Sequence, residues 1–373
     1  MKKIFIIPFE LPWDWTADYQ KQTIKQLKKM GHQSIAYMNR DAVFFLNKKR
    51  VVYPKIKNVS FFQPIYIIPF QRFSLVRSIN QFLNLIFLKI KFWNKKMYFW
   101  SFDPDFYKMI YFSNFLKIKT VYDCVDYHSH AQKNIKRIIK NLENKTISSV
   151  KYFFVNSKEL FKIHKKTRTA DKVVPQGFDL DLFSKKVKPL SILKNNKKPI
   201  IGYVGGINYR LDYDLLIELA KKNKEWQFVF WGPIQNQDND QLINIKEKQK
   251  DLFSLKNVYT NKSLKEMIPA VIKNFDVCII PYNNKFDFNL HSYPMKIFEY
   301  FYLKKPVISS EINELKNFSK DLVSTAKYYQ DWKIKITNKL NIEETNKVKK
   351  TKRDLSIKNS WKDKIEYILN KIN

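Results

Sequence analysis

Short apolar runs alternate with longer, periodically amphipathic ones along the whole chain. The runs at residues 3–7, 34–38, 96–100, 119–122, 152–155, 172–174, 200–204, 227–231, 277–280 and 307–309 predict strands. Between most of them apolar positions recur at helical spacing, as at 17–29, 213–222 and 295–303. Short apolar strands separated by helices predict an α/β fold of parallel sheets covered on both faces. The pattern resets near residues 180–198, where the apolar FDLDLF at 178–183 gives way to the polar KNNKKP at 194–199. A strand and a glycine turn follow, as at the start of a second doubly wound unit. The expected domains are therefore 1–185 and 198–355. At 356–373, Ile357, Trp361, Ile365, Ile368 and Leu369 fall at mostly helical spacing and predict a closing helix. The basic run at 347–352 before it reads as a solvated linker.

Composition changes this picture in three ways. The 373 residues carry a formal charge of +35, unevenly spread. Residues 42–102 contain no Asp or Glu, although the chain average of 34 acids in 373 residues would put about five or six there. Excess positive charge attracts anionic lipid or nucleic acid. Nothing here looks like a recognition helix or a ribonucleoprotein motif, so nucleic acid is set aside. Within the acid-free window, residues 72–96 mix apolar bulk with basic residues and suit an anionic membrane surface; a helix with its apolar face in the core fits the same pattern. Glycine is scarce, six in all, and Gly202, Gly205 and Gly206 fall within five residues. Two cysteines, Cys124 and Cys278, give no disulfide framework and point to a reducing cytosol. No 18-residue apolar run is present, and the first residues are too short a run for a signal peptide.

The candidate chemistry lies mainly in HSYPMKIFEYFYLKKPVISS at 291–310. It runs loop, helix, strand, and Pro294 is placed to open the helix. A helix N-terminus favours an anion. Lys296 and Glu299 are three apart on one helical face. A cation for a diphosphate and a carboxylate for a ribose diol fit a nucleotide-sugar site, and a plain surface ion pair fits the same spacing. Gly205 and Gly206 would let backbone N–H groups approach an anion, with Arg210 offering a guanidinium fork. A plain strand-to-helix turn reads the same way. In the first half, Asp123 and Asp126 follow a strand, and capping is the plain alternative for each. His128 and His130 lack a third ligand at metal spacing. DPD at 103–105 and DLD at 179–181 are short enough to arise by chance. No metal is expected.

Taken together, the chain resembles the GT-B glycosyltransferases, in particular the retaining group 4-type family. The resemblance rests on VYDCVD at 121–126, FVNS at 154–157, VPQGFD at 174–179, GYVGG at 202–206 with Arg210 and Asp212, YPMKIFEY at 293–300 and KPVI at 305–308. It implies two Rossmann-like doubly wound domains facing a cleft, with the closing helix at the end. It implies a donor site formed by Gly205, Gly206, Arg210, His291, Ser292, Tyr293, Pro294, Met295, Lys296 and Glu299, with Glu299 on the ribose hydroxyls. Arg210 and Lys296 would stabilise the departing diphosphate, and Asp123, with Asp126 as the second choice, would lie near the reacting sugar. It further implies a UDP- or GDP-sugar donor, no cofactor, no metal and retention at the anomeric carbon. The expected acceptor is a glycan or lipid-linked saccharide, used in the cytoplasm or at the inner membrane face. Two positions depart from the family: His291 stands where a glutamate is usual, and the 212–214 region where a lysine is usual. A nucleotide-sugar 2-epimerase and a non-catalytic binding protein of the same fold remain as alternatives.

Overall fold

The computed structural model describes residues 3–13, 18–45, 50–130, 136–194, 197–235 and 243–372. The chain divides into two units, residues 1–175 with 361–373, and residues 176–360.

The first unit is built on strands β1 (Lys3–Phe9), β2 (Gln33–Met38), β4 (Val59–Phe62), β6 (Lys96–Ser101), β7 (Lys119–Cys124), β8 (Tyr152–Val155) and β9 (Lys172–Val173), with β3 (Val43–Phe44) and β5 (Ile65–Tyr66) forming a separate pair. The large sheet is parallel, in the order β4-β2-β1-β6-β7-β8-β9. The chain winds outward from β1 in one direction, then returns to β6 and winds in the other. Central strands are buried on both faces, which is why they read as unbroken apolar runs: Phe5, Ile6, Ile7 and Phe9 have no exposed surface. The sequence pattern missed β3, β4 and β5, whose residues are mostly half-buried or exposed and so lack that run.

The helix Trp361–Lys371 belongs to this first unit, so the domain boundaries differ from those expected. The break falls at 175/176 rather than within 180–198, and residues 361–373 rejoin the start of the chain. The closing segment is also two helices, Asn346–Lys358 and Trp361–Lys371, assigned to different units. A buried ion pair fastens the second one. Lys364 Nζ lies 3.1 and 3.0 Å from the two carboxylate oxygens of Asp123 and donates to the Val174 carbonyl at 3.3 Å. Tyr98 Oη donates to the Ile372 carbonyl at 3.0 Å, and Trp361 meets Tyr19 edge-on.

The second unit carries β10 (Ile200–Val204), β11 (Gln227–Trp231), β12 (Val258–Asn261), β13 (Val277–Ile280), β14 (Val307–Ser310) and β15 (Ser324–Ala326), all parallel, in the order β12-β11-β10-β13-β14-β15. Here too the missed strands, β12 and β15, are the edges, with polar and half-buried residues. The basic run at 347–352 is no linker. It lies in the helix Asn346–Lys358, where the fully buried Lys352 ammonium bonds to Glu344 and to the Lys305 carbonyl. Ser356 Oγ donates to the Phe298 carbonyl at 2.8 Å and so ties this helix to the helix Lys296–Tyr302.

A buried charge left without its partner costs several kcal/mol. Lys364→Met should therefore lower the stability of the first unit by about 3–5 kcal/mol, read as a fall in its denaturation midpoint. The double variant Asp123→Asn with Lys364→Met should recover much of that loss.

Candidate functional site

In doubly wound sheets ligands bind beyond the carboxyl ends of the strands, at the point where the winding reverses. In the second unit that point lies between β10 and β13. The turn after β10 carries Gly205 and Gly206, and the stretch after β13 begins Pro281-Tyr282. Gly205 has φ +127°, and Gly232, after β11, has φ +156°. A Cβ on Gly232 would lie 2.1 Å from the Gly205 carbonyl oxygen, so the two turns meet backbone to backbone. The Gly205 N–H donates to the Trp231 carbonyl, and Ile207 exchanges bonds with Pro233 and Gln235, which locks the loop to its neighbour. On the other side the segment carrying Arg210 lies antiparallel to that carrying Tyr282: Asp212 N–H donates to the Pro281 carbonyl, and Asn283 N–H to the Arg210 carbonyl.

These constraints bring two cations onto one aromatic ring. The Arg210 guanidinium sits 4.4 Å from the centre of the Tyr282 ring and 4.8 Å from that of Phe288. Its Nε donates to Asn289 Oδ1 at 2.9 Å, while Asn289 Nδ2 donates back to the Arg210 carbonyl at 3.0 Å. The terminal amino groups carry the fork geometry that suits a phosphate. Lys296, the first residue of its helix, donates to Tyr282 Oη at 2.7 Å and lies over the rings of Tyr203 and Tyr282, at 4.9 and 5.0 Å. The ammonium is turned toward the glycine loop: a Cβ on Gly205 would be 3.4 Å from it. The ordinary Lys296–Glu299 ion pair is therefore not what this lysine makes among the described residues. Arg210 and Lys296 are both half-buried, whereas Tyr203 and Tyr282 are buried.

The electrostatics record this crowding. Burial alone would push the Tyr282 phenol up, but Arg210, Lys296, the hydrogen bond from Lys296 and the neighbouring Tyr203 hydroxyl outweigh it and bring it down to about 8. Tyr203, fully buried beside Tyr282, is held well above the usual tyrosine range. It donates to the Gly206 carbonyl at 3.0 Å and so braces the glycine turn.

The other expected donor residues fall around this centre. The first turn closes from Pro294, whose carbonyl accepts from Ile297 N–H, although the regular helix begins at Lys296, with Met295 at its N-cap position. Glu299 is half-buried in the first turn. Ser292 is buried and donates to the Asn289 carbonyl, and Tyr293 packs against Phe298. His291 ends the short helix Asp287–Leu290 and is half-buried. Asp212 caps the helix Tyr213–Lys222 through Leu215 N–H, a structural use that accounts for an acid in the region where a lysine was expected. Asn289 and Tyr282, which hold the two cations, were not foreseen; neither carries a motif, and only their shared neighbours reveal them.

In the first unit Asp123, expected near the reacting sugar, has no exposed surface and is engaged by Lys364, which ties down the last helix. Burial raises its carboxyl, with Lys364 pulling the other way. Asp126 lies in the half-buried loop after β7. The winding of this unit reverses between β1 and β6, and acids gather there. Glu10 follows β1; Asp103 and Asp105 follow β6. Burial, then Asp103 and Asp105, raise Glu10 to about 7 against the pull of a 2.7 Å bond from Asn39 Nδ2. Asp103 also accepts from Asp105 N–H as the cap of a one-turn helix. No sequence spacing links residue 10 to residues 103 and 105; the sheet order does.

Comparison with known proteins accords with this geometry. Residues 184–348 match the model of the family Glycosyl transferases group 1. Over 220 residues, 55% of the chain, the sequence is 26% identical to TuaH of Bacillus subtilis (strain 168), named as a teichuronic acid biosynthesis glycosyltransferase; the match spans about half of that protein, 53%. Among solved structures, sucrose-phosphate synthase from Thermosynechococcus elongatus superposes with a TM-score of 0.72 at 12% identity, covering 99% of this chain and 98% of that one. HepE of Anabaena, solved with UDP and glucose, gives 0.73 at 11% identity, covering 100% and 99%. At such identities the likeness establishes the fold, which is GT-B.

A tyrosine ionising near 8 stands apart from the ordinary value near 10. Ultraviolet titration of the protein should show one such tyrosinate, absent in Tyr282→Phe. A diphosphate that neutralises Arg210 and Lys296 should move that midpoint upward. A midpoint indifferent to nucleoside diphosphate would place the anion elsewhere.

Proposed function

We propose that this GT-B chain, whose second unit carries a group 1 glycosyl transferase domain, is a glycosyltransferase that moves a sugar from a nucleoside-diphosphate donor to a saccharide or lipid-linked saccharide during cell-surface glycan synthesis. The observation that carries the proposal is the convergence of Arg210 and Lys296 on Tyr282, beside the Gly205–Gly206 turn, at the winding reversal of the second unit.

The chemistry follows from charge. As the glycosidic bond to the diphosphate breaks, negative charge grows on the leaving phosphate. Donors fixed in advance at that place lower the barrier, because they need no reorganisation when the charge appears. Arg210 is fixed by Asn289 and two aromatic rings, and Lys296 by Tyr282. Glu299, one turn along, is offered for the ribose hydroxyls. Two resident cations supply the neutralisation that a divalent ion would otherwise supply, so transfer is expected to proceed without added metal. Retention at the anomeric carbon is adopted from the family resemblance. HepE was solved with UDP and glucose, which makes a UDP-sugar the first donor to test. Glu10, Asp103 and Asp105 are offered for acceptor hydroxyls, which favours a two-substrate reaction over an epimerase.

A second surface supports use at a membrane. The helix Ser74–Lys91 buries a mixed face, Ser78, Asn80 and Asn84 with Leu85 and Leu88, and leaves Leu75, Phe87 and Ile90 exposed. Asn80 and Asn84 satisfy the backbone of residues 65, 67 and 68, so polar side chains take up part of the face held against the unit. Leu75 is 70% exposed and Trp93, just beyond the helix, 77%. Arg72, Arg77, Lys89 and Lys91 lie among them, in the stretch free of acids. Apolar side chains ringed by cations match an anionic bilayer. No helix among the described residues is long and apolar enough to cross one. The proposed place of action is the cytoplasmic face of the membrane.

Thermal stabilisation by a panel of nucleotide sugars tests the donor site. One UDP-sugar should raise the midpoint, and Lys296→Ala should weaken its binding about 10–100-fold, the worth of a hydrogen bond to a charged group. Unchanged affinity in Lys296→Ala would overturn the assignment. For the surface, the protein should sediment with vesicles containing phosphatidylglycerol and not with phosphatidylcholine alone. The double variant Ile90→Ser with Trp93→Ser should lose most of that binding while keeping donor affinity.

A further inference from the structure

Beyond β7 the first unit holds a cluster that neither the donor site nor the membrane surface uses. Cys124 ends β7, Glu143 lies in the helix Lys136–Ser149, and His164 ends the helix Lys158–His164. All three are buried, at 0%, 1% and 4% exposure. Cys124 Sγ is 3.6 Å from Glu143 Oε1 and 3.6 Å from His164 Nε2, and His164 Nε2 is 3.7 Å from Glu143 Oε1. Three donor atoms thus form a nearly equilateral triangle. Bonds of about 2.3 Å to sulfur and about 2.0–2.2 Å to nitrogen and oxygen put neighbouring ligands of a tetrahedral zinc roughly 3.3–3.6 Å apart. The observed triangle is within a few tenths of an ångström of that figure.

His128 adjoins two corners of this triangle, Cys124 and Glu143, and is the candidate fourth ligand. It offers a ring nitrogen within 4.8 Å of the Cys124 and Glu143 ligand atoms. Its Nε2 is buried and has no hydrogen-bond partner. The ring also bonds to the Phe102 backbone, leaving Nδ1 as the nitrogen that does so. A histidine that gives one nitrogen to a backbone carbonyl and points the other at a cluster is oriented as metal-ligating histidines are. Tyr122 Oη donates to Glu143 Oε1 at 3.2 Å and would hold the carboxylate in the same way. His128 as a whole is half-buried.

We propose that Cys124, His128, Glu143 and His164 bind one Zn²⁺ ion, in a closed structural site. The ion would clamp β7, the loop after it and two helices of the first unit, and thereby fix the Asp126 loop. The expectation of no metal rested on His128 and His130 lacking a third ligand in the nearby sequence; the side chain of His130 lies outside the described residues, and the partners come from residues 124, 143 and 164 instead. The inference is independent of the donor-site reading.

The test uses the full chain stripped of metal and titrated with Zn²⁺ and with Co²⁺. The expected result is one tightly bound ion per chain, with Co²⁺ giving the absorption of a tetrahedral site and a thiolate charge-transfer band. Cys124→Ser should abolish that band, and Cys278→Ser should keep it. His128→Ala, at the half-buried corner, should weaken Zn²⁺ binding by more than the roughly 10–100-fold that loss of an outer partner costs; it serves if Cys124→Ser does not fold. Absence of stoichiometric binding, or a Co²⁺ spectrum without the thiolate band, would overturn the proposal.

Discussion

Two positive charges held on the faces and hydroxyl of one buried tyrosine are the constraint around which the second unit is arranged. Arg210 and Lys296 repel each other, and neither would rest beside Tyr282 without the surrounding bonds. Asn289 fixes one by its Nε, and the phenol accepts from the other. Ring quadrupoles attract cations by about 0.5–2 kcal/mol each, so Tyr203, Tyr282 and Phe288 offset part of the repulsion. The remainder is available to an anion. A site with this balance suits an anion more than a neutral group.

The rest of the unit keeps that arrangement rigid. Gly232 lets two turns approach where a side chain would collide with the Gly205 carbonyl. The carboxyl ends of β10 and β13 place the turns side by side, because the winding reverses there. Behind the site, the Lys296 helix is tied through Ser356 to the helix Asn346–Lys358, itself anchored by the buried Lys352. Sites of high precision need such backing, since a displaced donor loses much of its effect. The first unit shows a different economy. Its buried charges, Asp123 with Lys364 and Glu143 among imidazoles and a thiol, lie inside the unit and serve its cohesion.

The helix Ser74–Lys91 illustrates how composition and fold combine. An apolar, basic helix is common in a core, and residues 72–96 by themselves fit either use. The amides of Asn80 and Asn84 satisfy backbone groups that would otherwise be buried without partners. They share the inner face with Leu85 and Leu88, so part of the apolar surface lies in the core and part faces outward.

Much of the fold was legible in the sequence. A strand buried on both faces must be an unbroken apolar run, so the central strands of both sheets were visible; edge strands such as β12 and β15 need no such run and were not. Gly205, Gly206, Arg210 and Lys296 stood out in the sequence as well, because glycine is rare here, and the fold brings them to one place. Tertiary structure alone decided three other things. It turned Asp123 from a candidate near the substrate into the partner of Lys364, 241 residues away. It gathered Glu10 with Asp103 and Asp105, and Cys124 with Glu143 and His164, since sheet order brings together residues that no local spacing relates. Periodicity reports which face of an element is apolar. Which partner each polar group meets depends on long-range packing, and that is where charge pairs and ligand sets arise.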